Sequence, residues 1–217
     1  MDVKIAALRS ALVLGIPDEA ERLTRWILKE IVGGRIRFPS LRHPLGFLYV
    51  QLDRRRDSVL RLHLWPDAPR WEVLTTSPYH MHAWDLISYV HRGQITNTIV
   101  GVRSCPDRPE YRVFDIVGES TVDVLTPTED LVKSYVVSRE TIQSGGFYRM
   151  NAGAYHASRA ESPGWTLTVA LVKRIPGAGE RALGPLTLNT HRTQRQISPP
   201  EELKSVAQEV LAQGGVG

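Results

Sequence analysis

From Leu45 to Lys173 the chain runs in short apolar–polar alternations broken by glycine and proline. Ser58 to Trp65 is the clearest, with Leu60, Leu62 and Leu64 on one face and Arg61, His63 and Trp65 on the other. A period of two belongs to a strand, because successive side chains leave opposite faces. Similar runs are Gly46–Leu52, Gly93–Val102, Tyr111–Val117, Thr121–Leu125, Ser134–Glu140 and Trp165–Lys173. Many short strands with such punctuation predict an all-β sandwich or barrel.

Helices flank this region. Residues 3–14 place Ile5, Leu8 and Leu12 on one face, and Pro17 ends that helix. Asp18 then caps a second helix, with Glu21 completing a capping box. Its apolar face is Ala20, Leu23, Ile27 and Ile31, and Gly33-Gly34 stops it. Residues 174–197 look like loop. Ser198 caps a last helix with Pro199 first and Glu201 closing the box; Leu203, Val206, Val210 and Leu211 form its apolar side, and Gly214-Gly215 closes it. The expected organisation is one structural domain. Residues 1–44 form an N-terminal helical segment that covers the barrel or a partner subunit, 45–175 the barrel, and 176–217 a C-terminal loop and helix.

A chain of 217 residues with 42% hydrophobic content can build a sizeable core. The net charge is +4, but the 27 basic residues are scattered. Their densest cluster, Arg54, Arg55 and Arg56, sits between Asp53 and Asp57, a solvated turn rather than a nucleic-acid stripe. No run approaches the roughly 20 apolar residues of a membrane span. Asp2, Lys4 and Arg9 interrupt the N-terminal apolar residues, so the start does not look like a signal peptide. Cys105 is the only cysteine, which leaves no intrachain disulfide and fits a cytoplasmic protein. Neither nucleic acid nor a membrane is an expected partner. A homodimer is expected, because the helices and open strand edges need cover.

Pro78 to Gly93 reads P-Y-H-M-H-A-W-D-L-I-S-Y-V-H-R-G. On a strand His80 and His82 share one face, about 7 Å apart along the backbone, and can reach one metal ion. Gly145 to His156 reads G-G-F-Y-R-M-N-A-G-A-Y-H, with a turn at Gly153 leading into a strand that carries His156. Together the two stretches resemble the two cupin motifs. His80, His82 and Gly93 fall on the first; Gly145, Gly153 and His156 fall on the second, with Asn151 where proline is usual. The resemblance covers roughly Leu45 to Lys173 and implies a cupin jelly-roll barrel. The glutamate of the first motif is missing, since its positions are Leu86 and Ile87. The resemblance therefore implies a three-His site of His80, His82 and His156. Asp85 is either a fourth ligand, turned inward by a bulge at Trp84, or a hydrogen-bond acceptor behind a ligand.

Three neutral imidazoles with open positions suit Fe(II), and also Zn, Mn or Ni. Among cupins such a set resembles the thiol dioxygenases of the cysteine dioxygenase type. That group carries a Ser-His-Tyr arrangement after the last ligand; here the strand W-T-L-T-V-A-L-V-K has neither His nor Tyr beyond Trp165. The triad carries over and the thiol chemistry does not. Arg61, His63, Trp84 and Tyr148 are candidate pocket residues for a small-molecule substrate. The Arg61–His63 face is either solvent or a pocket, where Arg61 would suit a carboxylate. Tyr155 should point away from His156. His91 should be exposed at a turn, and His43, His191 and Cys105 have no assigned role. The expected function is an Fe(II) dioxygenase acting on a small organic molecule. The rivals are a non-redox isomerase or lyase, and a small-ligand-binding cupin without catalysis.

Overall fold

The computed structural model describes residues 2–73, 75–119 and 121–213. Three helices, α1 (Asp2–Leu14), α2 (Pro17–Val32) and α3 (Pro200–Ala212), surround fourteen strands. The strands are β1 (Ser40–Arg42), β2 (Leu48–Arg54), β3 (Ser58–Trp65), β4 (Tyr79–Met81), β5 (Trp84–Arg92), β6 (Gln94–Ser104) and β7 (Tyr111–Glu119). They continue with β8 (Val122–Gln143), β9 (Phe147–Met150), β10 (Tyr155–Ala160), β11 (Thr166–Arg174), β12 (Glu180–Gly184), β13 (His191–Gln194) and β14 (Gln196–Ile197).

They form two seven-stranded antiparallel sheets, β14-β1-β2-β3-β11-β5-β9 and β13-β8-β6-β10-β4-β12-β7. β7 also pairs with β8, so the second sheet returns on itself. This is the jelly-roll barrel with N-terminal helices and a C-terminal helix that the alternation and the two motifs imply. No helix among the described residues is long and apolar enough to cross a membrane.

The period-two pattern explains the layers. Val50, Leu62, Val169 and Tyr89 form one cross-strand row of the first sheet, and Leu48, Leu64 and Leu167 another. All of them pack against α1, α2 and α3 in one buried cluster. Each such Leu or Val contributes roughly 1.5–3 kcal/mol by leaving water. The named apolar residues of the helices are thus covered by the chain's own sheet. The opposite rows of that sheet face the barrel interior. One runs Gln51, Arg61, Ala170, Ser88 and Tyr148; the next holds Tyr49, His63, Thr168 and Val90. The Arg61–His63 face is therefore interior rather than solvent.

Several local expectations are corrected. Neither helix start has a side-chain cap: α2 begins after Ile16 with Pro17 in its first turn, and α3 begins after Pro199. Glu21 is not free for a capping box, because its carboxylate faces His91 and Tyr89 on β5. Ser198 bonds Glu202 at 2.7 Å rather than Glu201. The proposed stop of α3 at Gly214-Gly215 lies outside the described residues. Thr121–Leu125 and Ser134–Glu140 belong to one 22-residue strand, β8, bent between partners β7 and β6. Residues 174–197, read as loop, supply β12, β13 and β14, so both sheets draw on strands beyond 45–175. Short strands with little alternation leave no periodic signal.

Candidate metal centre

The second sheet sets the centre. His156 on β10 stands directly opposite His80 on β4, within a cross-strand row of Ile99, His156, His80, Ala182 and Phe114. His82 is not on the same strand as His80. It occupies the break between β4 and β5, which turns its ring back towards the other two. Ring centroids are 4.7 Å apart for His80–His82, 4.5 Å for His80–His156 and 5.1 Å for His82–His156. One ring nitrogen from each lies within 4.8 Å of the others. Nitrogens this close could hold one ion between them, at ligand distances of roughly 2.1 Å once the rings turn inward.

The glycines of both motifs serve this geometry. Gly93, Gly145 and Gly153 have φ of 72°, 87° and 79°, the left-handed region that side chains disfavour. The Gly153 turn is pinned from two sides. Its N–H donates to the His82 carbonyl at 2.9 Å, and the neighbouring Ala152 N–H donates to Asp85 Oδ1 at 2.9 Å. Asp85 is not part of the histidine cluster; strict alternation keeps it opposite Trp84, and its carboxylate orients the turn that leads to His156.

The imidazoles are prepared as ligands. His156 Nδ1 lies 3.0 Å from the Ala154 carbonyl, which assigns the proton to Nδ1 and leaves Nε2 with its lone pair. Burial, with a further push from His156, holds His80 down at about 3. Burial holds His82 well below the ordinary range, with His80, His156, Arg61 and His43 acting in the same sense. Burial also lowers His156, opposed by Ala154. All three are neutral near pH 7, as coordination requires.

An aromatic layer joins this triad to the first sheet. The His82 ring stacks on Trp84, centroids 4.2 Å apart and planes 16° from parallel. The Arg61 Cζ lies 5.3 Å from the Trp84 ring and 5.6 Å from Tyr49, within cation–π range. His63 is buried among Phe47, Tyr49 and Trp65, with its Nδ1 3.4 Å from the Thr168 hydroxyl. Tyr148 is buried on the same interior face; burial raises its pKa, and Ser88, Arg61 and Thr168 oppose this. The four candidate pocket residues thus share the interior. Trp84 stacks on His82 of the triad and Arg61 lies over Trp84, while His63 follows Arg61 on its strand and Tyr148 lies on the same face.

Other residues depart from expectation. His91 is buried, not exposed, with Nδ1 2.6 Å from Glu21. It lines a cleft of about 520 Å³ between α2 and the Gly145 turn, away from the triad. Tyr155 faces away from His156 into a cluster with Val100, Val113 and Leu183, as alternation requires. Cys105 sits in the turn after β6, its Sγ 3.4 Å from the Arg108 carbonyl. His43, which has no role in the sequence motifs, reaches the interior. It stacks on Phe47, and burial, followed by the nearby Arg195, His80 and Arg61, holds its pKa well below the ordinary range. Glu180 and Arg195 escaped notice with the strands around them. Burial raises the Glu180 pKa, while Arg195 is bound to Asp123 through two contacts of 2.8 and 2.6 Å.

No protein-family model and no curated protein sequence matches the chain. Among solved structures it is similar to the hydroquinone 1,2-dioxygenase PnpCD in complex with Cd2+ and 4-hydroxybenzonitrile. There the identity is 13% and the TM-score 0.34, over 58% of this chain and 63% of that one. It is similar to FeII HppE at 14% identity and TM-score 0.33, over 58% of this chain and 49% of that one. It is also similar to an RmlC-like cupin protein from Ralstonia eutropha JMP134, at 12% identity and TM-score 0.34, over 78% and 75%. Likenesses of this depth assign no activity. The two sheets, the motif glycines and the histidine triad are this chain's own grounds for a cupin jelly roll with a candidate three-His metal site.

Proposed function

We propose that the protein is a non-haem iron enzyme of the cupin type that oxidises a small organic substrate with dioxygen. One observation carries the reading: three converging imidazoles, neutral through burial, with no carboxylate among them. Such a set suits a divalent transition metal with open coordination positions, and Fe(II) bound there would supply redox chemistry with dioxygen. His80, His82 and His156 would hold the ion. The Ala154 carbonyl keeps the His156 proton on Nδ1. Trp84 fixes the plane of His82 and excludes water from one side of it.

The test is anaerobic purification with metal analysis, followed by oxygen uptake on iron-loaded protein. Wild type should hold one equivalent of iron per chain, and His80→Ala, His82→Ala and His156→Ala should each lose most of it. Metal content unchanged in all three would overturn the site. Full metal without oxygen consumption on any substrate tried would favour a non-redox isomerase or lyase, or a binding protein.

A further inference from the structure

One long edge of β8 stands open. β7 covers one side of the strand as far as Val132, and β6 covers the other from Val132 to Gln143. From Lys133 to Gln143, β6 is therefore the only strand paired with it among the described residues. On the free side alternate residues point their N–H and C=O groups outward with no strand to meet them. The side chains are equally uncovered: Tyr135 to Thr141 are exposed without a break. Tyr135, Val136 and Val137, at the middle of this edge, are 55%, 62% and 60% exposed. The Tyr135 ring lies across Gly101 of β6, where any side chain would collide with it. A long open edge with apolar residues at its centre is a template for a further strand.

The charges along the edge suit a second copy of the same strand. A two-fold axis sets a strand against itself in the antiparallel sense. Lys133 and Glu140 belong to no ion pair among the described residues. Arg139 beside them is held by Glu161 at 3.5 Å. The spacing from Lys133 to Glu140 is odd, which on a regular strand puts the two on opposite faces. A bulge changes this. Ile99 pairs with Ser138 and Val100 with Val136, so Val137 is an extra residue. One extra residue returns Lys133 and Glu140 to a common face. A two-fold between Val136 and Val137 then sets Lys133 against Glu140 of the partner subunit at both ends of the seam, with the valines at its centre.

We propose that the edge of β8 from Lys133 to Gln143 pairs antiparallel with the same edge of a second copy, joining the second sheets of two chains into one. The ladder satisfies the outward backbone groups, and Tyr135 and the valines leave water. The two Lys133–Glu140 pairs fix the register and disfavour slipped arrangements. The proposal rests on the strand pairing alone and is independent of the reading of the histidine triad.

The test is the oligomeric state of the full chain, read by sedimentation equilibrium at micromolar concentration and low salt. Wild type should be a dimer. Lys133→Glu and Glu140→Lys each turn two attractions into two repulsions, and each should weaken the dimer roughly ten-fold or more. The double variant, Lys133→Glu with Glu140→Lys, should restore the wild-type dissociation constant. Val136→Lys places like charges beside the axis and should give a monomer. Far-UV circular dichroism of each variant should match wild type, because the substituted side chains face solvent; the rescue by the double variant excludes a folding effect of the single ones. A monomeric wild type would overturn the proposal. So would a dimer that both single reversals leave unchanged, or a double variant that associates no more tightly than either single one.

Discussion

The Asp85 carboxylate accepts the backbone N–H of Ala152 at 2.9 Å, across 67 positions of sequence. The contact joins the start of β5 to the turn that delivers His156. Its effect on the metal must pass through that turn. Losing a group that orients a ligand typically costs roughly ten- to a hundred-fold in metal affinity. Asp85→Ala should therefore keep near-full iron at saturating metal while its dissociation constant rises by about that factor. His156→Ala, prepared beside it, should stay largely metal-free. Equal loss in the two would make Asp85 a ligand.

The strands and the triad were legible because their signals are periodic or spaced. Alternation in Ser58–Trp65 set the layers, and glycines 93, 145 and 153 marked the turns of both motifs. Alternation alone could not say which face of β3 met the helices. That choice depends on partners far in sequence: Leu62 lies beside Val169 and Val50, and Arg61 beside Ala170 and Gln51. His43, Glu180 and Arg195 were invisible for a related reason. They reach the interior through short elements or turns, where two to five residues give no period. The Gly93 turn beside His91 suggests exposure, but α2 covers the ring.

Gly93 and Gly153 offer a matched pair for testing the turns. Both have positive φ, so an alanine at either is strained by about 1 kcal/mol or more. At Gly153 an added Cβ meets nothing within 4 Å, whereas at Gly93 it runs into the Thr166 side chain and lies 3.1 Å from Thr166 Cα. Gly153→Ala should lose about 1–2 kcal/mol in urea unfolding, and Gly93→Ala clearly more. A smaller loss at Gly93 would mean that β11 yields there.

Arg9 is the charged residue that interrupts the apolar face of α1, and it is 7% exposed. Its Nε meets Asp53 Oδ2 at 2.6 Å and a terminal nitrogen meets Ser58 Oγ at 3.1 Å, tying α1 to the β2–β3 hairpin. Removing one partner of a largely buried pair typically costs about 3–5 kcal/mol. Asp53 keeps some solvent and Arg55 at 3.4 Å, so Arg9→Ala should fall at or below the low end of that range. Arg9→Met, which keeps the packing of the stem, should lose less. Chemical unfolding of the three proteins decides it; no loss in Arg9→Ala would show the pair to be idle.

Acid and alkali should act on the contact between α2 and β5 from opposite ends. Burial alone would raise the Glu21 pKa, but His91 and Arg25 outweigh it and bring the carboxyl to about 2 from 4.5. A folded value below the unfolded one means stability that is fully present above about pH 4.5 and is lost as pH falls towards 2. Tyr89, whose hydroxyl lies 3.3 Å from Glu21, is raised by burial and by that carboxylate to about 12 from 10. Its neutral form is the one the fold favours, so its contribution is complete below pH 10 and is lost as pH rises through 12. Glu21→Gln removes the carboxylate from both. Wild type should melt higher than Glu21→Gln at neutral pH, and the gap should close as pH falls from 4.5 towards 2. Melting curves across that interval check it; a gap that stays constant through the acid range would show that Glu21 is not held ionised by His91 and Arg25.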